Sequence, residues 1–177
     1  MLRGRYIELL KEIKQDFPNM SGYQIFIKYI MSKGLQAVVL FRISSYLYQH
    51  NHRQIAKLVK NYSLKRTGAD IAESAKIGAG LSIGHPVGIV VGGVELGTNC
   101  FLLAGVVLGS ISREKGGGKI IGGNNIYFGS GCKVIGNIKI GSNVQIGANA
   151  VVIKDIPDNS TCVGVPGRNI VNESIIH

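Results

Sequence analysis

Between residues 70 and 167, apolar side chains return at every sixth position with glycine and small residues between them. Hexads open at Phe128, Val134, Ile140, Ile146 and Val152. Upstream they open at Ile71, Ile77, Ile83 and Ile89, then resume one residue late at Leu96, Leu102 and Leu108. A period of six fits neither the 3.6-residue helix nor the two-residue alternation of one long strand. It fits a hexapeptide solenoid, in which each hexad forms one side of a coil. Three sides close one turn, so residues about 18 apart stack on one another. The chain holds 25 glycines in 177 residues, most of them in the hexads. There they serve tight corners that need positive φ, so the glycine load belongs to the repeat and not to disorder.

The beat breaks twice. One break is the single-residue slip between Ile89 and Leu96. The other is Ser110 to Lys119, a polar, glycine-rich stretch with no inward apolar position. An excursion from a solenoid corner is where such folds carry binding loops. The repeats contain one histidine, His85. A three-histidine metal site is thereby excluded, and no metal is expected. Cys100 and Cys132 each fall four positions after a hexad-opening residue and read as core, while Cys162 stands alone near the tail. Three cysteines without paired spacing point to a reducing, cytoplasmic setting.

Residues 1–66 read as a helical segment that covers the open end of the solenoid, where bare coil backbone would be a sticky edge. A first helix spans 2–15, and Ser21 caps a second that Gly34 closes near Ser32. A third runs from Leu35 to Gln49 with Leu35, Val39, Ile43, Tyr46 and Leu47 as its buried stripe. A fourth carries Ile55, Leu58, Val59 and Tyr62, and Lys65 to Gly68 link it to the coils. No signal peptide is expected, and Lys28, Lys33 and Arg42 interrupt the most apolar early region too often for a spanning helix. The net charge of +10 comes from 20 Lys and Arg against 10 Asp and Glu, with many of the basic residues before residue 70. It reads first as a solvated basic face. No nucleic-acid motif accompanies it, so nucleic acid is not an expected partner, whereas peripheral contact with the inner face of an anionic membrane fits.

Five stretches then resemble the serine acetyltransferase family and its sugar-modifying relatives: Gly34 to Ile43, Thr67 to Ile71, Ile83 to Val91, Val107 to Gly109, and Val163 to Arg168. The resemblance covers about residues 34 to 168 in order. It implies a mainly β fold, a left-handed parallel β-helix over 67–168 with a small N-terminal α-helical cap and a tail over 169–177. The left hand comes from the resemblance alone, since parallel crossovers are ordinarily right-handed. It also implies an acetyl-CoA-dependent O-acetyltransferase, with acetyl-CoA as co-substrate, working as a homotrimer or a dimer of trimers.

In that family the residue at His85 is the general base and the residue at Asp70 orients it. Chemistry agrees: a hydroxyl is a poor nucleophile at neutral pH, and a carboxylate can fix an imidazole's tautomer. Asp70 lies fifteen residues before His85, about one coil away. Gly109, Ser130 and Ala148 match the small residues along which the pantetheine arm lies. Lys154 and Arg168 are the candidate partners for its phosphates, which need cations. Asp16, Arg42 and Lys119 are candidates for the acceptor.

The chain departs from serine-specific members at two points. Gly84 stands where they carry an aspartate before the base, and the loop has no histidine. A zwitterion needs paired counter-charges, so the expected acceptor is a sugar hydroxyl, free or lipid- or nucleotide-linked, in a bacterial surface polysaccharide or its precursor. The alternatives are L-serine O-acetylation for cysteine biosynthesis and a non-catalytic scaffold.

Overall fold

The computed structural model of the protein describes residues 2–109 and 119–171. All of the Ser110–Lys119 excursion except Lys119 lies outside them, as does the end of the tail. Four helices come first: α1 (Leu2–Asp16), α2 (Gly22–Met31), α3 (Lys33–Gln49) and α4 (Arg53–Thr67). Ser21 caps α2 as its sequence predicts, with its hydroxyl accepting from Gln24 N at 3.2 Å and the Gln24 side chain accepting from Ser21 N at 2.8 Å. This reciprocal box satisfies two otherwise orphaned donors.

Three helix expectations are corrected. Gly34 does not close α2 but lies in the first turn of α3. A Cβ there would sit 1.9 Å from the Ile83 carbonyl oxygen, so glycine marks a close helix–coil approach. The burial of α3 also exceeds the predicted stripe. Val38, Phe41, Arg42, Ser44 and Ser45 are buried, while Val39, Ile43, Tyr46 and Leu47 are only half-buried. The apolar stripe of α4 points outward, with Ile55, Leu58 and Tyr62 exposed, and the helix packs instead through Ala56, Ser63 and Thr67. A period of 3.6 identifies an apolar face without saying what covers it.

The coils follow. The first holds β1 (Asp70–Ile71), β2 (Lys76–Ile77) and β3 (Ser82–Ile83), and the second β4 (Val90–Val91), β5 (Glu95–Leu96) and β6 (Phe101–Leu102). The third holds β7 (Val107–Gly109), β8 (Ile121–Gly122) and β9 (Tyr127–Phe128), and the fourth β10 (Lys133–Ile135), β11 (Lys139–Ile140) and β12 (Gln145–Ile146). β13 (Val151–Val152), a bridge at Ile156 and β14 (Ser160–Val163) make the fifth. Every third strand pairs in parallel, giving three sheets: β1-β4-β7-β10-β13, β2-β5-β8-β11, and β3-β6-β9-β12-β14. β15 (Arg168–Val171) adds to the third sheet antiparallel to β14. This is the left-handed parallel β-helix with its N-terminal helical region.

Each hexad points two side chains inward, one just before the strand and one at its end. Cys132 and Val134 are fully buried on either side of the outward Lys133, and the same slots hold Val106 and Leu108 one coil earlier. Stacking such pairs builds one continuous apolar column. Beyond the hexad that Val152 opens, β14 continues the coil: Cys162 is buried and pairs with Ile146, so it is a core residue of a fifth coil. Likewise the tail is ordered as β15 through Val171. Among the described residues no helix is long and apolar enough to cross a membrane.

Candidate active site

The slip in the beat has a different location from the one expected. Ile71 pairs with Val91 and not with Ile89, so eight residues separate the inward Ile83 from its successor and five separate Val91 from Leu96. The extra length sits in the corner Gly84-His85-Pro86-Val87-Gly88. A corner enlarged by two residues pushes its tip away from the coil, and His85 is on that tip. Its side chain is exposed and makes no hydrogen bond with any described residue.

That corner belongs to a ridge running up the solenoid. Gly88 N donates to Gly68 O at 3.0 Å, Gly105 N to Val87 O at 3.0 Å, Gly131 N to Ala104 O at 2.7 Å, and Asn149 N to Ser130 O at 2.9 Å. Each of these coils turns through a left-handed residue: Gly68, Gly88, Gly105, Gly131 and Asn149 all have φ between 58° and 84°. Left-handed backbone is available to glycine and, at small cost, to asparagine. On this ridge the structure brings together His85, Ser130 and Ala148. The Val163–Arg168 segment stacks on its last step, where Val151 N donates to Gly164 O at 3.0 Å and Gly167 N to Val151 O at 2.7 Å.

Gly109 and Lys154 are on the neighbouring ridge, at the far ends of β7 and of the segment after β13. The first sheet lies between the two sets. A Cβ at the half-buried Gly109 would meet nothing within 4 Å among the described residues. Lys154 and Arg168 are exposed, and neither side chain has a hydrogen-bonding partner among the described residues.

Asp70 begins β1 directly beside the His85 ridge, and its backbone N donates to Ile89 O at 2.8 Å. Its carboxylate does not meet His85. Instead Asp70 Oδ1 pairs with Lys60 Nζ of α4 at 2.7 Å, and Oδ2 has no partner among the described residues. Lys60 carried no local sequence signal, because only the placement of α4 brings it ten residues back onto the coil.

The three acceptor candidates each have partners within the chain. Arg42 is buried and grips the Asp16 carboxylate with two hydrogen bonds of 2.7 Å. It also donates to the carbonyls of Ile77 at 2.6 Å and Gly78 at 2.7 Å, and Asp16 accepts from Leu81 N at 3.0 Å. A bidentate pair closed by backbone partners is a clamp that seats the helices on the first coil. Lys119 pairs with Glu95, which Lys76 also holds at 3.0 Å; these two cations keep the Glu95 carboxyl below its ordinary range.

A Cβ at the exposed Gly84 would come within 2.7 Å of Leu103 Cδ2 and 3.2 Å of Phe101 Cζ, the far ends of two side chains. Phe101 in turn contacts Tyr127, with ring centroids 5.5 Å apart. Lys133 was also missed by sequence reasoning. Its ammonium donates to the carbonyls of Gly105 and Gly131, both at 2.8 Å, and so ties two corners of the ridge together.

No family model matches the chain. It is 35% identical to the serine acetyltransferase of Bacillus subtilis over 172 residues, covering 94% of this chain and 78% of that protein. The chain belongs to the serine acetyltransferase family. The serine acetyltransferase of Synechococcus elongatus is 37% identical over 156 residues, covering 88% of this chain and 63% of that protein. The crystal structure of Neisseria gonorrhoeae serine acetyltransferase matches with a TM-score of 0.81 at 30% identity, covering 96% of this chain and 66% of that one. The chain thus spans about two thirds of the length of these two relatives.

These similarities overturn the expected sugar acceptor and lend no support to a closer kinship with polysaccharide-modifying enzymes. Gly84 and the absence of a loop histidine do not fix the acceptor, because the same loop sequence still supplies Arg113, Glu114 and Lys115.

Proposed function

We propose that the protein transfers the acetyl group of acetyl-CoA to the hydroxyl of L-serine, releasing O-acetyl-L-serine and CoA. The observation that carries this reading is the exposed, unengaged imidazole of His85 on the enlarged corner, in a chain that matches a serine acetyltransferase over 94% of its length. His85 takes the proton from the serine hydroxyl as it attacks, and returns it to the departing thiolate. In the reacting complex the Asp70 carboxylate, whose Oδ2 has no partner among the described residues, turns to the imidazole and holds it in the tautomer that leaves the attacking nitrogen free. Acetyl-CoA supplies the thioester carbonyl that accepts the attack. In support, small residues stand at Ser130 and Ala148 on the His85 ridge and at Gly109 across the first sheet, and Lys154 and Arg168, exposed and without side-chain partners among the described residues, suit its phosphates.

The active form is a homotrimer or a dimer of trimers. In support, Val87 and Val90 beside the His85 corner are 69% and 44% exposed, apolar surface that an adjoining subunit would cover. Release of CoA thiol is the test, with acetyl-CoA and either L-serine or a panel of free, nucleotide-linked and lipid-linked sugars. Turnover is expected with L-serine; turnover restricted to a sugar would overturn the reading.

A further inference from the structure

In a stacked coil, an outward side chain is braced by its counterparts above and below. Asp70 opens the first coil, so the β-helix provides a neighbour on one side only, Val90. On the other side lies α4. That helix is locked to the coil at its end: Thr67 Oγ1 donates to Ser63 O at 2.8 Å and accepts from Ala69 N at 3.2 Å, and Gly68 O accepts from Gly88 N at 3.0 Å. From this fixed helix Lys60 reaches Asp70 Oδ1 at 2.7 Å, with the two side chains 25% and 35% exposed. Asp70 Oδ2 and the ring nitrogens of His85, one coil apart, do not meet in this structure, and neither has a partner among the described residues.

We infer that Lys60 is a positioning residue for the base: its ammonium holds the Asp70 carboxylate by one oxygen and so presents the other to His85. The inference rests on the proposed roles of Asp70 and His85. A carboxylate on a rotatable stem spends much of its time in other rotamers, and a fixed cation on one oxygen removes that freedom. The orientation of the base thereby depends on the helical segment, which is joined to the coils through the same α4 terminus.

The test combines kinetics with a spectroscopic readout that needs no acceptor. In Lys60→Met, kcat should fall about tenfold while both KM values stay within about twofold, and Lys60→Arg should restore most of the loss. Lys60→Met on an Asp70→Asn background should cost nothing more, because the lysine acts only through that carboxylate. In parallel, the His85 imidazole signals, assigned by their loss in His85→Gln, are followed in ¹⁵N-labelled protein. Wild type and Lys60→Arg should show one dominant tautomer, and Lys60→Met and Asp70→Asn a mixture. An unchanged His85 tautomer in Lys60→Met overturns the inference, as does a kcat loss that persists on the Asp70→Asn background. If wild type fails to acetylate serine while the tautomer still responds to Lys60, only the functional reading falls.

Discussion

Replacing Gly34 by alanine separates two physical arguments that give opposite signs. Helix propensity favours alanine over glycine by about 1 kcal/mol, so on sequence grounds Gly34→Ala should stabilise α3. In the structure the added Cβ would lie 1.9 Å from Ile83 O, whereas real Cβ contacts stay above 3.0 Å. The helix must therefore withdraw by roughly 1 Å from backbone that no rotamer change can move. Withdrawal loosens the seam that Val38 and Phe41 bury, and it strains the Arg42 bonds to the Ile77 and Gly78 carbonyls. Overpacking of this kind costs about 1–3 kcal/mol, and backbone contact puts it at the upper end, so a net loss near 2 kcal/mol remains after the propensity gain. For a chain of this length the expected fall in Tm is about 4–8 °C. Ile83 is two residues before His85, so kcat should fall as well, by more than the loss of folded protein accounts for. Thermal melts and steady-state kinetics on the purified variant check both. A Tm equal to or above wild type would refute the close-approach argument.

His85→Ala should lower kcat by about 10²–10⁴-fold without displacing bound acetyl-CoA, as read by thiol release and by ligand-induced shifts in Tm. Arg42→Met leaves the Asp16 carboxylate buried without its cation, and urea unfolding should show a loss of about 3–5 kcal/mol. Burial pushes the Cys100 thiol up to about 11 and Cys132 to about 12, from an ordinary 9.0. The folded state then binds the extra protons, so their contribution is whole below pH 9 and is lost as pH rises toward 11–12, by up to about 1.4 kcal/mol per pH unit for each thiol. Tm measured from pH 8 to 11 should fall less steeply in Cys132→Val, since valine fills the same inward slot at Val106 and Val144.

Much of this protein can be read from one dimension because its main feature is periodic. A hexad repeat fixes which side chains point inward whatever their neighbours are, so Leu102, Phe128, Val134 and Ile146 could be assigned to the core in advance, and the corners to glycine. His85 could be picked out as the one imidazole of the repeats, and Ser130 and Ala148 as stacked neighbours, by counting alone. Contacts between distant segments had no such rule. The register of Val91 against Ile71 depends on which residues the enlarged corner absorbs. The seating of α3 at Gly34, the burial of Asp16 with Arg42, and the reach of Lys60 to Asp70 depend on how helices dock on a coil. The residues of the ridge were thus set by sequence spacing, while the company they keep was decided by tertiary packing, because a period specifies direction along one axis and says nothing about what lies across it.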